Sequence, residues 1–593
     1  MNRIRYYSIL AAFLVLVPTA AFARGRAFGY CSQGGIKAVV SGLNSTNKFM
    51  GSYPGCTVDV YAAGTLTHIL LYADNSGTPK ANPFTADATS GYWFWYADNG
   101  RYDVKLSGGG ITTPFTLGDI SLADPAALKQ ANCASSVTIQ ACHDSLIPFG
   151  GGTMYFPAGK YDFTNLNLTL SVTLLGDGPA SIIRLADNTN TGGPLITDST
   201  PTSKVTFQNL TLDGNRVNNS VPCGNALQFT GGAVLSAQYV NFQNINCNAV
   251  ISSKDALGVR IVDNTFTGNS TIAIALAQTT LAVSRATVSR NTISFNAPAV
   301  SGCTNATPPI CATTSPHLFY LGQTISLRNT SVTAYNARWN VTPITATTFS
   351  INTVAGGIST GGNAQEGAFG VSATKEYGDI ISENNIYGNA FDQIGIAGGA
   401  HNKIIGNVLI FGGEQGMTAS QGETQTDFIA NTVFSPFSHG IDLSDAVNGP
   451  TFITLEGNIV TGAGSGGSPS LTGGVGIHLC CSASVSYITI RGGRITNSRD
   501  SAININLATN TVIENVDMKF NNGTPPFIHD GTDANTRITD FSGAFTFAMI
   551  NSFPSSYGAG STIYCSDCTI ANPTLGAGNG AITKRLNGVW VGN

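Results

Sequence analysis

From about residue 260 onward the chain repeats itself in short units. An asparagine followed by a few alternating apolar residues returns as Asn264-Thr265-Phe266, Asn291-Thr292-Ile293, Asn384-Asn385-Ile386, Asn407-Val408-Leu409, Asn431-Thr432-Val433 and Asn458-Ile459-Val460. The last four, at 384, 407, 431 and 458, stand 23, 24 and 27 residues apart. Each unit also carries a second short strand: Ile394-Gly395-Ile396, Gly416-Met417, Gly440-Ile441-Asp442-Leu443 and Gly476-Ile477-His478-Leu479. A strand of this length cannot bury its apolar face alone. Successive coils must therefore stack, about 4.8 Å apart, and share one core. The expectation is an all-β chain wound as a right-handed parallel β-helix. Asparagine at a recurrent bend tolerates a left-handed backbone, and its amide reaches the asparagine of the next coil. The repeated asparagines are read as structural. Coil length and the single asparagine per unit argue against a propeller or a sandwich.

The period sets the boundaries. Coils are expected over 131–302 and 371–541, with a β insertion at 303–370 built on Ile325-Ser326-Leu327, Trp339-Asn340-Val341-Thr342 and Thr348-Phe349-Ser350-Ile351. A C-terminal β tail follows at 542–593. Residues 24–120 differ in character. Strand-like runs Thr57–Tyr61, His68–Tyr72, Gly91–Tyr96 and Tyr102–Leu106, with a turn at Asp98-Asn99-Gly100, predict a small antiparallel β-sandwich whose aromatics are read as its core, with contact to sugar rings as the alternative.

Residues 1–23 read as a signal peptide, with Arg3 and Arg5 ahead of the apolar run Ile9–Val17 and a small-residue site at Ala21-Phe22-Ala23. That run is short for a membrane span, and no later stretch is apolar enough to make one, so the mature protein is expected outside the cytoplasm without a membrane span. The 12 cysteines then favour disulfides. Cys133 with Cys142, Cys303 with Cys311, Cys565 with Cys568, Cys31 with Cys56 and Cys223 with Cys247 are the pairings considered. The adjacent Cys480 and Cys481 can bridge each other only with strain. A formal net charge of -4, with charged residues only 10% of the chain, leaves no electrostatic footprint for nucleic acid. Oligomeric state is left open.

Val137–Cys142 reads as a short helix, and the strand Gly150-Gly151-Gly152-Thr153-Met154-Tyr155-Phe156-Pro157-Ala158-Gly159-Lys160-Tyr161 follows it. With Val172–Gly178 and Val205–Asn215, this opening resembles that of the pectate-lyase superfamily, specifically its polygalacturonase- and epimerase-like branch. The resemblance implies a right-handed parallel β-helix behind a capping helix, acting on polysaccharide. The Asp-Gly-x-x-Asp-Asp-Thr stretch usual before the helix is missing. Of the polygalacturonase stations only Ser438-His439-Gly440 is matched, at its histidine. No adjacent Asp pair is present, and Arg494-Ile495 is followed by Thr496 rather than lysine. The segment from Asn82 to Val104 resembles β modules at the front of phage tail and secreted proteins, where they serve as accessory or binding units.

In a β-helix, residues distant in sequence stack into columns. Aligning coils on the second strand predicts a column of Ala397, Thr418, Asp442, His478 and Asn504, with Asp392, Glu414 and His439 at the preceding bend and Asp445 after the strand. Two or more carboxylates beside a histidine suit glycosidic cleavage, in which one acid protonates the leaving oxygen and another carboxylate activates water. Asp442, Glu414, Asp392, His439 and His478 are therefore the catalytic candidates. Asp445, Arg491 and Arg494 are the substrate-binding candidates. No cofactor is certain. Elimination on a uronate would call for a cation, with Asp392, Glu414 and Asp442 as oxygen ligands for Ca²⁺. The leading expectation is a secreted polysaccharide-cleaving enzyme, hydrolase or lyase. The alternative is a non-enzymatic glycan-binding or tail-like surface adhesin.

Overall fold

A computed structural model describes residues 24–32, 52–122 and 130–523, except 75–76, 99, 190–191, 220, 257, 446, 466–472 and 482–484. Beyond 523 it describes 528–530, 536–539, 544–545, 562–565, 568, 581–586 and 589–592. The expected signal peptide and Asn99 of the expected turn lie outside the described residues. Among those described, no helix is long and apolar enough to cross a membrane. The chain divides into two compact units, residues 1–130 and 131–593.

The first unit packs two four-stranded sheets face to face. One holds Gly25–Tyr30, Tyr92–Ala97, Leu71–Tyr72 and Pro79–Lys80; the other holds Phe84–Thr85, Thr57–Ala62, Gly100–Gly108 and Ile111–Leu122. Strand alternation sends Val58, Val60, Trp93, Trp95, Val104 and Leu106 between the sheets, where a Cys31–Cys56 disulfide joins them. The expected strand at His68–Tyr72 shortens to Leu71–Tyr72, with His68 making only an isolated bridge to Tyr61.

The second unit is the right-handed parallel β-helix. The short helix Ile139–Asp144, capped by the Thr138 side chain, opens it. One 12-stranded parallel sheet runs from Leu166–Leu168 to Ile528–Asp530 and contains Ile394–Ala397, Met417–Ser420, Ile441–Ser444, Ile477–Cys480 and Ile503–Ile505. The other strands of each coil form two further parallel rows on either side of the asparagine bend. A continuous core of Ile, Val, Leu and Phe threads the coils from Cys133 to Ile538.

The asparagine ladder is real, with one correction. Backbone N–H and side-chain Nδ2 of each asparagine donate to Oδ1 of the next, through Asn264, Asn291, Asn384, Asn407, Asn431 and Asn458, at 2.9–3.0 Å. The left-handed residue is the one before: Asp263, Arg290, Glu383, Gly406, Ala430 and Gly457, at φ 53–63°. The preceding residue turns the chain, which frees the asparagine to point inward and satisfy the buried bend.

The insertion is a seven-stranded antiparallel sheet from Val300–Cys303 to Asn363–Gln365 with its own small core. It starts at Val300, slightly before the expected Cys303. The coils close beneath it without losing a rung, since Ile274 pairs with Val371, Thr287 with Ile380 and Thr292 with Asn385. Four short strands between Ala544 and Gly592 form the C-terminal sheet. Six disulfides take up every cysteine: the five pairs considered, and Cys480 with Cys481.

Candidate active site

Inward apolar residues fix the register on the 12-stranded sheet. Ile394, Met417, Ile441, Ile477 and Ile503 stack in the core, so the next residue of each strand faces outward: Gly395, Thr418, Asp442, His478 and Asn504. Gly395, not Ala397, therefore opens the column. Two positions before the inward Ile or Met lie Asp392, Gln415 and His439. Glu414 falls one place short of this row, level with Phe391 and Ser438, each three residues before the inward Ile or Met.

Asp442 is the centre. It is 6% exposed. Its Oδ1 lies 2.9 Å from His478 Nδ1, and its Oδ2 accepts from Ser444 Oγ at 2.8 Å and from Gln415 Nε2 at 3.5 Å. His439 stacks on His478, with ring centroids 4.2 Å apart and planes 16° from parallel. Gly473, at φ +104°, leaves the space for this: a Cβ there would collide with the His439 ring. On the previous coils Asp392 accepts from Thr418 Oγ1 at 2.7 Å and from the Gln415 backbone N–H at 3.1 Å. Gln415 thus touches both carboxylates, one through its backbone and one through its side chain.

The two aspartates are pushed apart in acidity. Burial, reinforced by the charges of Glu414 and Asp442, pushes the Asp392 carboxyl up to about 7. Burial acts on Asp442 in the same sense, but the hydrogen bond from His478, the two imidazoles and Ser444 outweigh it and hold Asp442 below the usual carboxylate range. Burial and the neighbouring His478 push His439 down to about 4, and its buried Nδ1 has no hydrogen-bond partner. One group thus holds a proton near neutrality, one is ionised, and one imidazole is neutral.

Glu414 borders this arrangement. Burial pushes its carboxyl up, while an ion pair with Arg338 opposes the shift. Arg338 belongs to the insertion strand Arg338–Thr345, and its guanidinium lies 4.7 Å over the Phe391 ring. Sequence reasoning missed both Arg338 and Gln415. Arg338 arrives from outside the coil period, where no pattern marks it. Gln415 was legible from the register, since aligning the coils on the asparagines or on the inward Ile and Met residues sets it level with Asp392 and His439.

The substrate-binding candidates are not brought to this cluster. Arg491 and Arg494 lie on the two other rows of the coil, where Arg491 pairs with Glu456 at 2.7 Å and Arg494 with Asp517 at 3.2 Å. The chain has already turned two corners past the site strand when it reaches them. Asp445 does follow the site strand, but its carboxylate accepts from the backbone N–H groups of Val447, Asn448 and Gln421 and so closes its own loop. Asp392, Glu414 and Asp442 are each engaged by protein donors, and among the described residues no group of three acidic, histidine or cysteine side chains is placed to hold a metal ion.

No known family profile matches the chain. Two curated proteins do, the mannuronan C5-epimerases AlgE1 and AlgE3 of Azotobacter vinelandii, at 32% and 31% identity over 194 residues. The match covers 30% of this chain but only 13% and 10% of theirs. Among solved structures, the A-module of the Azotobacter vinelandii mannuronan C-5 epimerase AlgE6 covers 68% of this chain and 93% of its own, at 13% identity and TM-score 0.37. The DFA-IIIase from Arthrobacter chlorophenolicus A6 covers 70% and 94%, at 10% identity and TM-score 0.37. An alpha-1,3-glucanase from Streptomyces thermodiastaticus covers 83% and 88%, at 14% identity and TM-score 0.34. The likeness is one of fold.

Proposed function

We propose that this chain is a polysaccharide-cleaving enzyme whose acid is Asp392 and whose base is the Asp442–His478 pair. One observation carries the reading: two aspartates on either side of the coil that carries Gln415, joined through that residue, with acidities driven in opposite directions. Such a split is what acid–base catalysis needs near neutral pH. Asp392 would protonate the glycosidic oxygen as the C–O bond breaks, while the Asp442–His478 pair takes a proton from the attacking water. The open face of a parallel sheet suits a linear polymer lying across the coils. Arg338 and Glu414 would border it.

A second reading rests on His439. Its buried Nδ1, without a hydrogen-bond partner, offers an acceptor for a carbon-bound proton α to a carboxylate. The name of the curated relatives, mannuronan C5-epimerase, points to uronate chains as substrate for that chemistry. Three readouts on one polysaccharide panel separate the readings. Hydrolysis releases reducing ends without ultraviolet absorbance, elimination releases both, and epimerisation in deuterated water incorporates deuterium without cleavage. Asp442→Asn should lower any of these rates by roughly 10²–10⁴-fold. Full activity in that variant would place the chemistry elsewhere.

A further inference from the structure

The first unit exposes what a sandwich normally hides. Alternation along Tyr92–Ala97 sends Trp93 and Trp95 into the core but turns Tyr92, Phe94 and Tyr96 to the opposite face. The neighbouring strand Gly25–Tyr30 does the same with Arg26, Phe28 and Tyr30, and antiparallel register sets Tyr30 opposite Tyr92, Phe28 opposite Phe94 and Arg26 opposite Tyr96. Five aromatic rings thus tile one side of one sheet. Tyr30 and Tyr92 are 5.4 Å apart between centroids, Tyr92 and Phe94 6.0 Å, and Phe94 and Tyr96 6.5 Å. Phe28 is 64% exposed and Tyr30 55%. Apolar exposure of this extent on one face marks a binding surface rather than scattered surface residues.

Cations are woven through the rings. The Arg26 guanidinium lies 5.0 Å from the Phe94 centroid and 5.5 Å from that of Phe28, and Lys80 Nζ lies 4.3 Å from Phe94 and 4.1 Å from Phe84. A cavity of about 480 Å³ opens beside them, lined in part by Tyr30, Lys80, Phe84, Tyr92 and Phe94. Its one carboxylate, Asp87, is taken up by its own turn, accepting from the Thr89 and Ser90 backbone N–H groups and the Ser90 hydroxyl. The face therefore offers flat apolar rings and positive charge, without a competing free anion in the cavity.

We infer that this sheet face is a second, non-catalytic polysaccharide site, in which Tyr30, Tyr92 and Phe94 stack on sugar rings while Arg26 and Lys80 receive the carboxylates of an acidic chain. Sugar rings present C–H faces that pack on aromatic planes, and a row of planes follows a linear polymer better than a compact partner. The inference shares with the proposed function only the class of ligand.

Affinity electrophoresis of the full chain through gels containing sodium alginate or neutral dextran tests it, in the Asp442→Asn background so that catalysis cannot consume the gel. Alginate should retard the chain, and Phe28→Ala/Tyr30→Ala, at two exposed positions that leave the core untouched, should weaken retardation about tenfold in apparent Kd. Arg26→Gln should reduce alginate retardation and leave dextran behaviour unchanged. With Asp442 intact, the aromatic variant should turn over short oligosaccharides at the parent rate, which separates this site from the catalytic one. The inference fails if alginate does not retard the parent, or if the aromatic variant migrates like it. Equal retardation by dextran would overturn the carboxylate assignment. A dimer in sedimentation that the aromatic variant abolishes, with retardation unchanged, would make the face a self-interface instead.

Discussion

At the scale of single residues, the site rests on one proton being kept and another lost. Asp392 is useful as an acid only while it holds its proton, and its carboxyl is pushed up to about 7. The catalysed rate should therefore be full in the mildly acidic range and fall as pH rises through about 7. A profile of kcat/KM against pH reads this directly, and a rate that keeps rising above pH 8 would remove Asp392 from the acid's role. The pairing of Asp442 with His478 was legible in the sequence because stacked coils bring equivalent positions together. The placement of Glu414 was less so, since three residues ahead of the inward Met417 it falls level with Phe391 and Ser438 rather than with Asp392 and His439. Arg338 was not legible at all: 76 residues separate it from Glu414, and only the tertiary placement of the insertion joins them.

At the scale of the coil, the asparagine ladder explains why the fold could be read from spacing alone. Each asparagine is buried and bonded to both the coil behind and the coil ahead; Asn407, for example, donates to the Ile381 carbonyl and to Asn431 Oδ1, and accepts from Asn384. Replacing one by alanine strands two partners inside the bend. Asn407→Ala should cost about 1–3 kcal/mol, the penalty of unsatisfied buried polar groups, whereas Asn385→Ala one position on should cost far less because that side chain is exposed. Denaturant unfolding of the two variants makes the comparison, and equal losses would contradict the ladder's role. What spacing did not disclose is the identity of the turning residue. Glu383, Arg290 and Ala430 adopt the left-handed backbone without being glycine or asparagine, so composition gives no sign of them.

At the scale of the molecule, the insertion is the part the coil period could not describe, and buried charge is what ties it down. Arg328 donates to the Gly412 and Ser435 carbonyls, Arg338 pairs with Glu414, and Arg216 of an early coil pairs with Glu366 at the insertion's end, at 2.7 Å. Arg216 and Glu366 are 2% and 0% exposed, and Glu366 also accepts from Gln323 and Asn296. Removing two charges from water is expensive, so a buried pair of this kind adds little net stability, while breaking it leaves one charge stranded. Arg216→Met alone should cost about 3–5 kcal/mol, whereas Arg216→Met with Glu366→Leu should recover much of that loss. Recovery should be incomplete, because Gln323 and Asn296 each lose an acceptor. Since a chain of two units need not unfold in one step, amide exchange on the insertion strand Thr324–Arg328 is the sharper measurement. Exchange there should accelerate in the single variant and slow again in the double. If the double variant exchanges as fast as the single, the pair fastens the insertion by its attraction and not merely by the cost of leaving either charge alone.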